Sequence, residues 1–275
     1  MSQRPPTALL SRPGGLRLRC RVVSSGSSSR VSEEWSASMR QLASVLALTT
    51  LAAGVAGADY KSDLIEQYEF YRTATGAFAP VYPALAQQIV EDYGVTEGVC
   101  IDMGGGCGSL AIALARITGL RVYVLDIDPA AVRLCGVLVD EAGLRGRVIP
   151  IEGDAQDMPF RDEFAELVVS RGSVFFWPDQ LAGLREAHRV LKPGGVAFIG
   201  GGFSRLLDPE IKRKLIADRG GGNQGGGSDR KPIHTGLVGE ARKAGLRPIR
   251  LIHDPDDRPE FGWWIELRKR PSNAE

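Results

Sequence analysis

An apolar run, Val99-Cys100-Ile101-Asp102-Met103, passes straight into Gly104-Gly105-Gly106-Cys107-Gly108 and from there into a segment of helical spacing, Ser109–Thr118. A strand that enters a helix through glycines leaves little freedom of architecture. The turn is too tight for most side chains, and the helix start presents unpaired N–H groups at the strand's carboxyl end. That unit belongs to a parallel sheet, in which each strand is followed by a crossover helix.

The rest of the chain repeats the pattern. Apolar runs at Arg121–Asp126, Val148–Glu152, Leu167–Ser170 and Val196–Ile199 read as further strands, separated by helical stretches at Pro129–Glu141 and Asp179–Val190. Strands apolar on both faces are covered by helices on both sides. Two more helices are expected at Asp59–Tyr71 and Pro80–Asp92, and one at Thr235–Ala244. The last runs, Pro248–His253 and Trp263–Arg268, suit an antiparallel pair at the sheet edge. The expected fold is therefore α/β, Rossmann-like and doubly wound, with about seven mainly parallel strands and an antiparallel edge. Six glycines within Arg219–Asp229 make a flexible loop, a candidate lid over the site.

Residues 1–58 differ in kind from residues 59–275, which are expected to form the folded domain. Up to residue 38 the chain is rich in Arg and Ser, carries no acid before Glu33 and lacks apolar periodicity, so disorder is expected there. Such a composition fits an organelle transit peptide or an upstream extension of the reading frame. From Met39, a short basic start at Arg40, an apolar stretch Leu42–Ala53 and the small-residue site Ala56-Gly57-Ala58 match a secretory or targeting signal; the stretch is short for a membrane span. The competing reading is an Ala/Leu-rich helix lying on the domain.

The 275 residues are 43% hydrophobic and 24% charged, with a formal net charge of +1. No general electrostatic pull toward nucleic acid follows from that balance, and no basic stripe is present. Cys20, Cys100, Cys107 and Cys135 form no C-x-x-C pair and share no spacing with histidine, so neither a metal site nor a disulfide framework is expected. Cys100 and Cys135 read as small core residues.

Three further stretches carry chemistry. Asp126 ends the second strand 18 residues after Gly108, where a carboxylate can accept from two ribose hydroxyls. Asp128, before Pro129, suits a helix cap instead. Gly153-Asp154-Ala155 follows the third strand, and Arg189-Val190-Leu191-Lys192-Pro193-Gly194-Gly195 precedes the fifth. The glycine loop alone also satisfies the dinucleotide pattern through Gly106, Gly108 and Ala111.

Taken together, Asp102-x-Gly104-x-Gly106-x-Gly108, Asp126, Gly153-Asp154-Ala155-Gln156-Asp157-Met158-Pro159-Phe160 and the Arg189–Gly195 turn resemble class I S-adenosylmethionine-dependent methyltransferases, over about residues 99–199. The branch with small-molecule enzymes of quinone biosynthesis is the most similar. The resemblance implies S-adenosylmethionine as cofactor, held by Asp102, Gly104, Gly106, Gly108, Asp126, Ile127, Asp154, Ala155 and Ser170, and methyl transfer to a small molecule. Two departures concern local geometry. Gly105 stands where a bulky residue or Cys is usual, and Phe164-Ala165 stands where Phe-Asp is common.

The family has no universal catalytic residue. Arg171, in Ser170-Arg171-Gly172-Ser173, sits after the fourth strand, where it can hold an anionic acceptor or make a structural ion pair. His234 is the other catalytic candidate, as a base beside the glycine-rich segment; His188 reads as structural, and His253 ends a late strand. Of Phe175, Phe176 and Trp177, at least one is expected in the core, as is one of Trp263 and Trp264. Two alternatives stay open: a non-catalytic module of the same fold, and a nicotinamide-dependent oxidoreductase, for which no Tyr-x-x-x-Lys proton donor is found. Cofactor supply favours the cytoplasm, against which residues 39–58 suggest export or an organelle. Oligomeric state is not readable.

Overall fold

A computed structural model describes residues 59–218, 236–253 and 262–272. Its seven strands are β1 (Val99–Met103), β2 (Arg121–Asp126), β3 (Val148–Glu152), β4 (Ala165–Arg171), β5 (Leu191–Gly200), β6 (Ile249–His253) and β7 (Trp263–Arg268). They form one sheet in the order β3-β2-β1-β4-β5-β7-β6. The first five are parallel, and β7 runs antiparallel to both β5 and β6. The late pair is thus the antiparallel edge, with β7 inserted beside β5 and β6 outermost. No helix among the described residues is long and apolar enough to cross a membrane.

Alternation along the strands divides the core in two. One face carries Cys100, Val122, Val124, Leu167, Val169 and Phe198 against α3 (Val81–Tyr93), α4 (Ser109–Ile117) and α5 (Pro129–Glu141). The other carries Ile101, Val168, Ala197 and Ile265 against α6 (Gln180–Val190) and α8 (Leu237–Lys243). Neighbours Trp263 and Trp264 obey the same rule. Trp264 is buried and stacks on Phe198 at 4.4 Å, while Trp263 meets Phe175 edge-on at 5.5 Å on the opposite face.

Several boundaries depart from expectation for physical reasons. The helix expected over Asp59–Tyr71 is broken: α1 covers residues 59–67, a turn occupies 68–70, and α2 spans Tyr71–Thr75. Tyr68 and Phe70 leave the helical path and pack on each other at 5.9 Å, Phe70 also meeting Phe176 at 5.8 Å. A helix not anticipated, α7 (Pro209–Asp218), follows Asp208, whose Oδ1 accepts from the Glu210 N–H at 2.7 Å. An acid before a proline is a helix start, so this one was readable. β5 begins earlier than expected, at Leu191, because its first residue pairs with Ala165 before the Lys192–Gly195 turn shifts the register. The Arg219–Asp229 lid and residues 1–58 lie outside the described residues.

Candidate active site

β1 sits between β2 and β4, so the crossovers leave β1 in opposite directions. A crevice opens at such a switch point, beyond the carboxyl ends of the strands. Here it holds a cleft of about 310 Å3 lined by the glycine loop, by Asp126–Asp128 after β2, and by Arg171–Ser173 after β4.

The loop is drawn in against the sheet. A Cβ on Gly105 would lie 2.7 Å from Val124 Cγ1 and 2.8 Å from the Asp102 carboxyl, which is why the usual larger residue is absent. Gly106 adopts φ +57° and lies beneath the Tyr68 hydroxyl, which a Cβ there would overlap. Its N–H donates to Asp126 Oδ2 at 2.7 Å, and the Asp128 N–H donates to Oδ1 at 3.0 Å. Asp128 in turn caps α5 by accepting from the Ala130 N–H at 2.8 Å, the role its place before Pro129 predicts. A carboxylate has about four acceptor sites, so Asp126 keeps acceptor capacity for a ligand.

Asp102 is 1% exposed, and its Oδ2 has no hydrogen-bond partner in the protein. Burial, then repulsion from Asp126, pushes its carboxyl up to about 7, opposed by a hydrogen bond from the Ala111 amide. An unsatisfied buried carboxylate lining a cleft calls for a donor from outside. Burial likewise raises Asp126, against the amides that bond to it.

The structure gathers Asp102, Gly104, Gly106, Asp126 and Ile127 around the cleft, Ile127 standing 68% exposed at its edge. Others lie elsewhere. Gly108 begins α4 against Cys135 and does not line the cleft. Ser170 is fully buried and donates to the Met103 carbonyl at 2.7 Å, tying β4 to β1. Asp154 accepts from the Gln156 N–H at 2.8 Å in a turn outside the cleft lining, and Ala155 packs into the core. Trp177 is buried, its indole N–H donating to Ser173 Oγ at 2.9 Å, whereas Phe176 lines the cleft. Cys100, Cys107 and Cys135 are all buried. His234 lies outside the described residues. His188 is half-buried on α6, and burial with nearby Lys269 lowers its pKa.

Arg171, the last residue of β4, also lines the cleft. Its guanidinium lies over Phe78 at 4.9 Å and Tyr82 at 5.3 Å. The wall that supplies these rings, with Tyr68 and Phe70, comes from residues 68–82 and was missed in the sequence. The signal was the run of aromatics from Tyr60 to Tyr82, in a segment otherwise of ordinary composition.

The cleft therefore offers carboxylates for cationic and hydroxyl donors together with rings and a guanidinium. A ligand carrying an ammonium, a sulfonium and a ribose meets the needs of these carboxylates: Asp102 Oδ2 lacks a donor, and Asp126 has acceptor capacity left.

The family described as "Methyltransferase domain" matches residues 101–199. The chloroplastic 2-methyl-6-phytyl-1,4-hydroquinone methyltransferase of Arabidopsis thaliana is 37% identical over 102 residues, covering 37% of this chain and 29% of the relative. Demethylmenaquinone methyltransferase of Chlorobaculum tepidum is 31% identical over 123 residues, covering 45% and 46%. The chain thus spans less than half the length of these curated relatives. A solved structure from Methanococcus maripaludis, provisionally described as an S-adenosyl-L-methionine-dependent methyltransferase, is 31% identical, with a TM-score of 0.63 over 78% of this chain and 95% of that one.

Proposed function

The chain belongs to the class I S-adenosylmethionine-dependent methyltransferases, and we propose that it transfers a methyl group to a small molecule with a quinone-type or hydroxylated aromatic ring. The observation that carries this reading is one cleft lined both by the carboxylates beside the glycine loop and by the rings of residues 68–82 with Arg171. The acceptor class is supported by the hydroquinone and menaquinone relatives.

When bound, the cofactor supplies a methyl made electrophilic by its sulfonium. The protein's own residues hold and screen. Asp102 accepts from the cofactor's ammonium, and Asp126 from its ribose hydroxyls. Ile127, exposed in the cleft lining, would pack against the adenine. The Gly104–Gly106 turn lets backbone rather than side chains meet the ligand. Tyr68, Phe70 and Phe176 exclude water from the space where the acceptor ring lies, so that alignment and desolvation lower the barrier. The adenine-side part of Asp154 and Ala155 belongs to the same proposal.

Calorimetric titration of the full-length protein with S-adenosylhomocysteine and with NAD tests the reading. Binding of the first and not the second is expected, with Asp126→Ala weakening it and Asp154→Ala weakening it less. A folded protein that binds NAD alone would overturn the assignment.

For location, residues 39–58 act as a targeting segment on this reading, and residues 59–275 form the methyltransferase domain. Basic, acid-free residues 1–32 and the chloroplastic names of plant relatives support import into an organelle over export. A fluorescent protein fused after residue 58 should leave the cytoplasm; diffuse cytoplasmic signal would refute the segment's role.

A further inference from the structure

The cleft lining carries charges of both signs. Asp102, Asp126 and Asp128 face it from β1 and the loop after β2, while Arg171 faces it from the end of β4. Around Arg171 the lining is aromatic: Phe78 and Tyr82 lie under the guanidinium, and Phe70 and Phe176 meet edge-on at 5.8 Å. Burial raises the Tyr82 hydroxyl, and the nearby Arg171 charge opposes that rise. The two rings pack against the guanidinium, which keeps its charge at any ordinary pH. A cation packed between rings in a cleft acts on a neighbouring ligand more strongly than a fully solvated surface arginine does.

We propose that Arg171, oriented by Phe78 and Tyr82, is the residue that binds the ionised oxygen of the acceptor and selects for aromatic rings bearing an acidic hydroxyl. The proposal deepens the methyl-transfer reading, on which its catalytic consequence rests; the anion site itself does not depend on it. An acceptor hydroxyl seated against the guanidinium gives its proton to solvent and keeps the electron pair. That pair enriches the oxygen and the ring carbons beside it. A bond then forms from one of those atoms to the methyl carbon as the methyl–sulfur bond breaks, its electrons returning to sulfur. Where carbon is the attacking atom, its ring proton leaves to solvent and aromaticity is restored. Among the described residues, the titratable groups lining the cleft with Arg171 include Tyr82 on α3, Asp102 on β1, Tyr68, Cys107, Asp126 and Asp128. Asp102 bears the wrong charge for an anion, and Arg171 is the cationic side chain of the cleft lining among the described residues.

The test uses 4-nitrophenol, whose ionised and neutral forms absorb at different wavelengths. Its apparent pKa is read free and bound to the full-length protein, with nitrobenzene as the uncharged control. Wild type is expected to lower the bound pKa by about one unit, a roughly tenfold preference for the phenolate. Arg171→Met, which keeps the apolar stem, should abolish the shift while binding nitrobenzene as wild type does. Arg171→Lys should keep part of the shift, and Tyr82→Phe should keep less than wild type. No binding of 4-nitrophenol, an unshifted or raised bound pKa, or an equal shift in Arg171→Met would overturn the proposal. S-adenosylhomocysteine titrated into the same proteins separates the two readings. Equal binding by wild type and Arg171→Met supports an acceptor-side role, and its loss in Arg171→Met alone refutes that role. No binding by wild type, with the phenolate shift intact, would overturn the methyl-transfer reading and leave the anion site standing.

Discussion

The backbone N–H of Gly106 donates to the carboxylate of Asp126 at 2.7 Å, joining the glycine turn after β1 to the acid that ends β2. Two motifs twenty residues apart are therefore one mechanical unit. The acid that is to receive the ligand also holds the turn that makes room for it.

Replacing Asp126 consequently disturbs folding as well as binding. Asp126→Ala leaves the Gly106 and Asp128 amides without their acceptor. A stability loss of about 1–3 kcal/mol is expected, together with weaker S-adenosylhomocysteine binding. Asp126→Asn, with one acceptor oxygen left, should lose less. Urea unfolding read beside calorimetry checks both; wild-type stability in the alanine variant would show that the loop holds itself.

Asp102 gives a pH signature. Its folded-state carboxyl is raised, by burial first and Asp126 second, from an ordinary 3.8 to about 7. Stability from such a group is full below the unfolded value and is lost as pH rises toward the folded one. Asp102→Asn removes that loss, so the variant should gain stability relative to wild type between pH 4 and pH 8. A bound cation lowers the Asp102 pKa, so ligand affinity in wild type should fall as pH drops through 7, by up to about tenfold per unit. A flat affinity profile in Asp102→Asn is the expected control. An equal pH dependence in both proteins would remove Asp102 from the binding set.

Gly106 and Tyr68 should show coupling. Alanine at position 106 must hold φ +57° and displace the Tyr68 hydroxyl. The left-handed conformation alone costs about 1–2 kcal/mol. Adding Tyr68→Phe removes the overlapping oxygen and leaves the nearest ring carbon at 3.2 Å from the new Cβ. The double variant should therefore melt above Gly106→Ala alone. If it melts lower, the Tyr68 hydroxyl is not what the added methyl meets.

Glu266 on β7 is 5% exposed and accepts from Arg250 at 2.9 Å, Arg268 at 3.0 Å and the Tyr93 hydroxyl at 3.0 Å. Burial raises its pKa, but the two arginines outweigh this and leave it below the ordinary carboxylate value. Its contribution is present above that ordinary value and lost as pH falls through the lower folded one. Glu266→Ala should cost about 1.5–3 kcal/mol at neutral pH, less in strong acid, by denaturant unfolding. This network joins α3 to the sheet's antiparallel edge, and none of its four side chains lines the cleft, so S-adenosylhomocysteine affinity should not change.

The sheet was legible because its signals are local. Apolar runs, glycine turns and capping acids act within a few residues, so β1, β2, β3 and α5 fall where the sequence places them. Helix α7 was legible too, in Asp208-Pro209, and was passed over. The strand order was not local. That β7 inserts between β5 and β6 depends on pairing partners far apart in the chain, such as Gly200 with Trp264.

Within the site, the sequence alone determined a nucleotide-type turn, an acid to follow it and a family resemblance, since each is written in adjacent residues and fixed spacings. Only tertiary structure decided which side chains reach the cleft. Ser170, beside the candidate Arg171, points into the sheet and bonds to β1, because alternation along a strand sends neighbours to opposite faces. Conversely, Tyr68, Phe78 and Tyr82 precede the motif by twenty residues or more and reach it only because the α1–α3 segment folds across the strand ends. The acidity of Asp102 is likewise a property of burial and of the neighbouring charge of Asp126, and neither exists until the chain is packed.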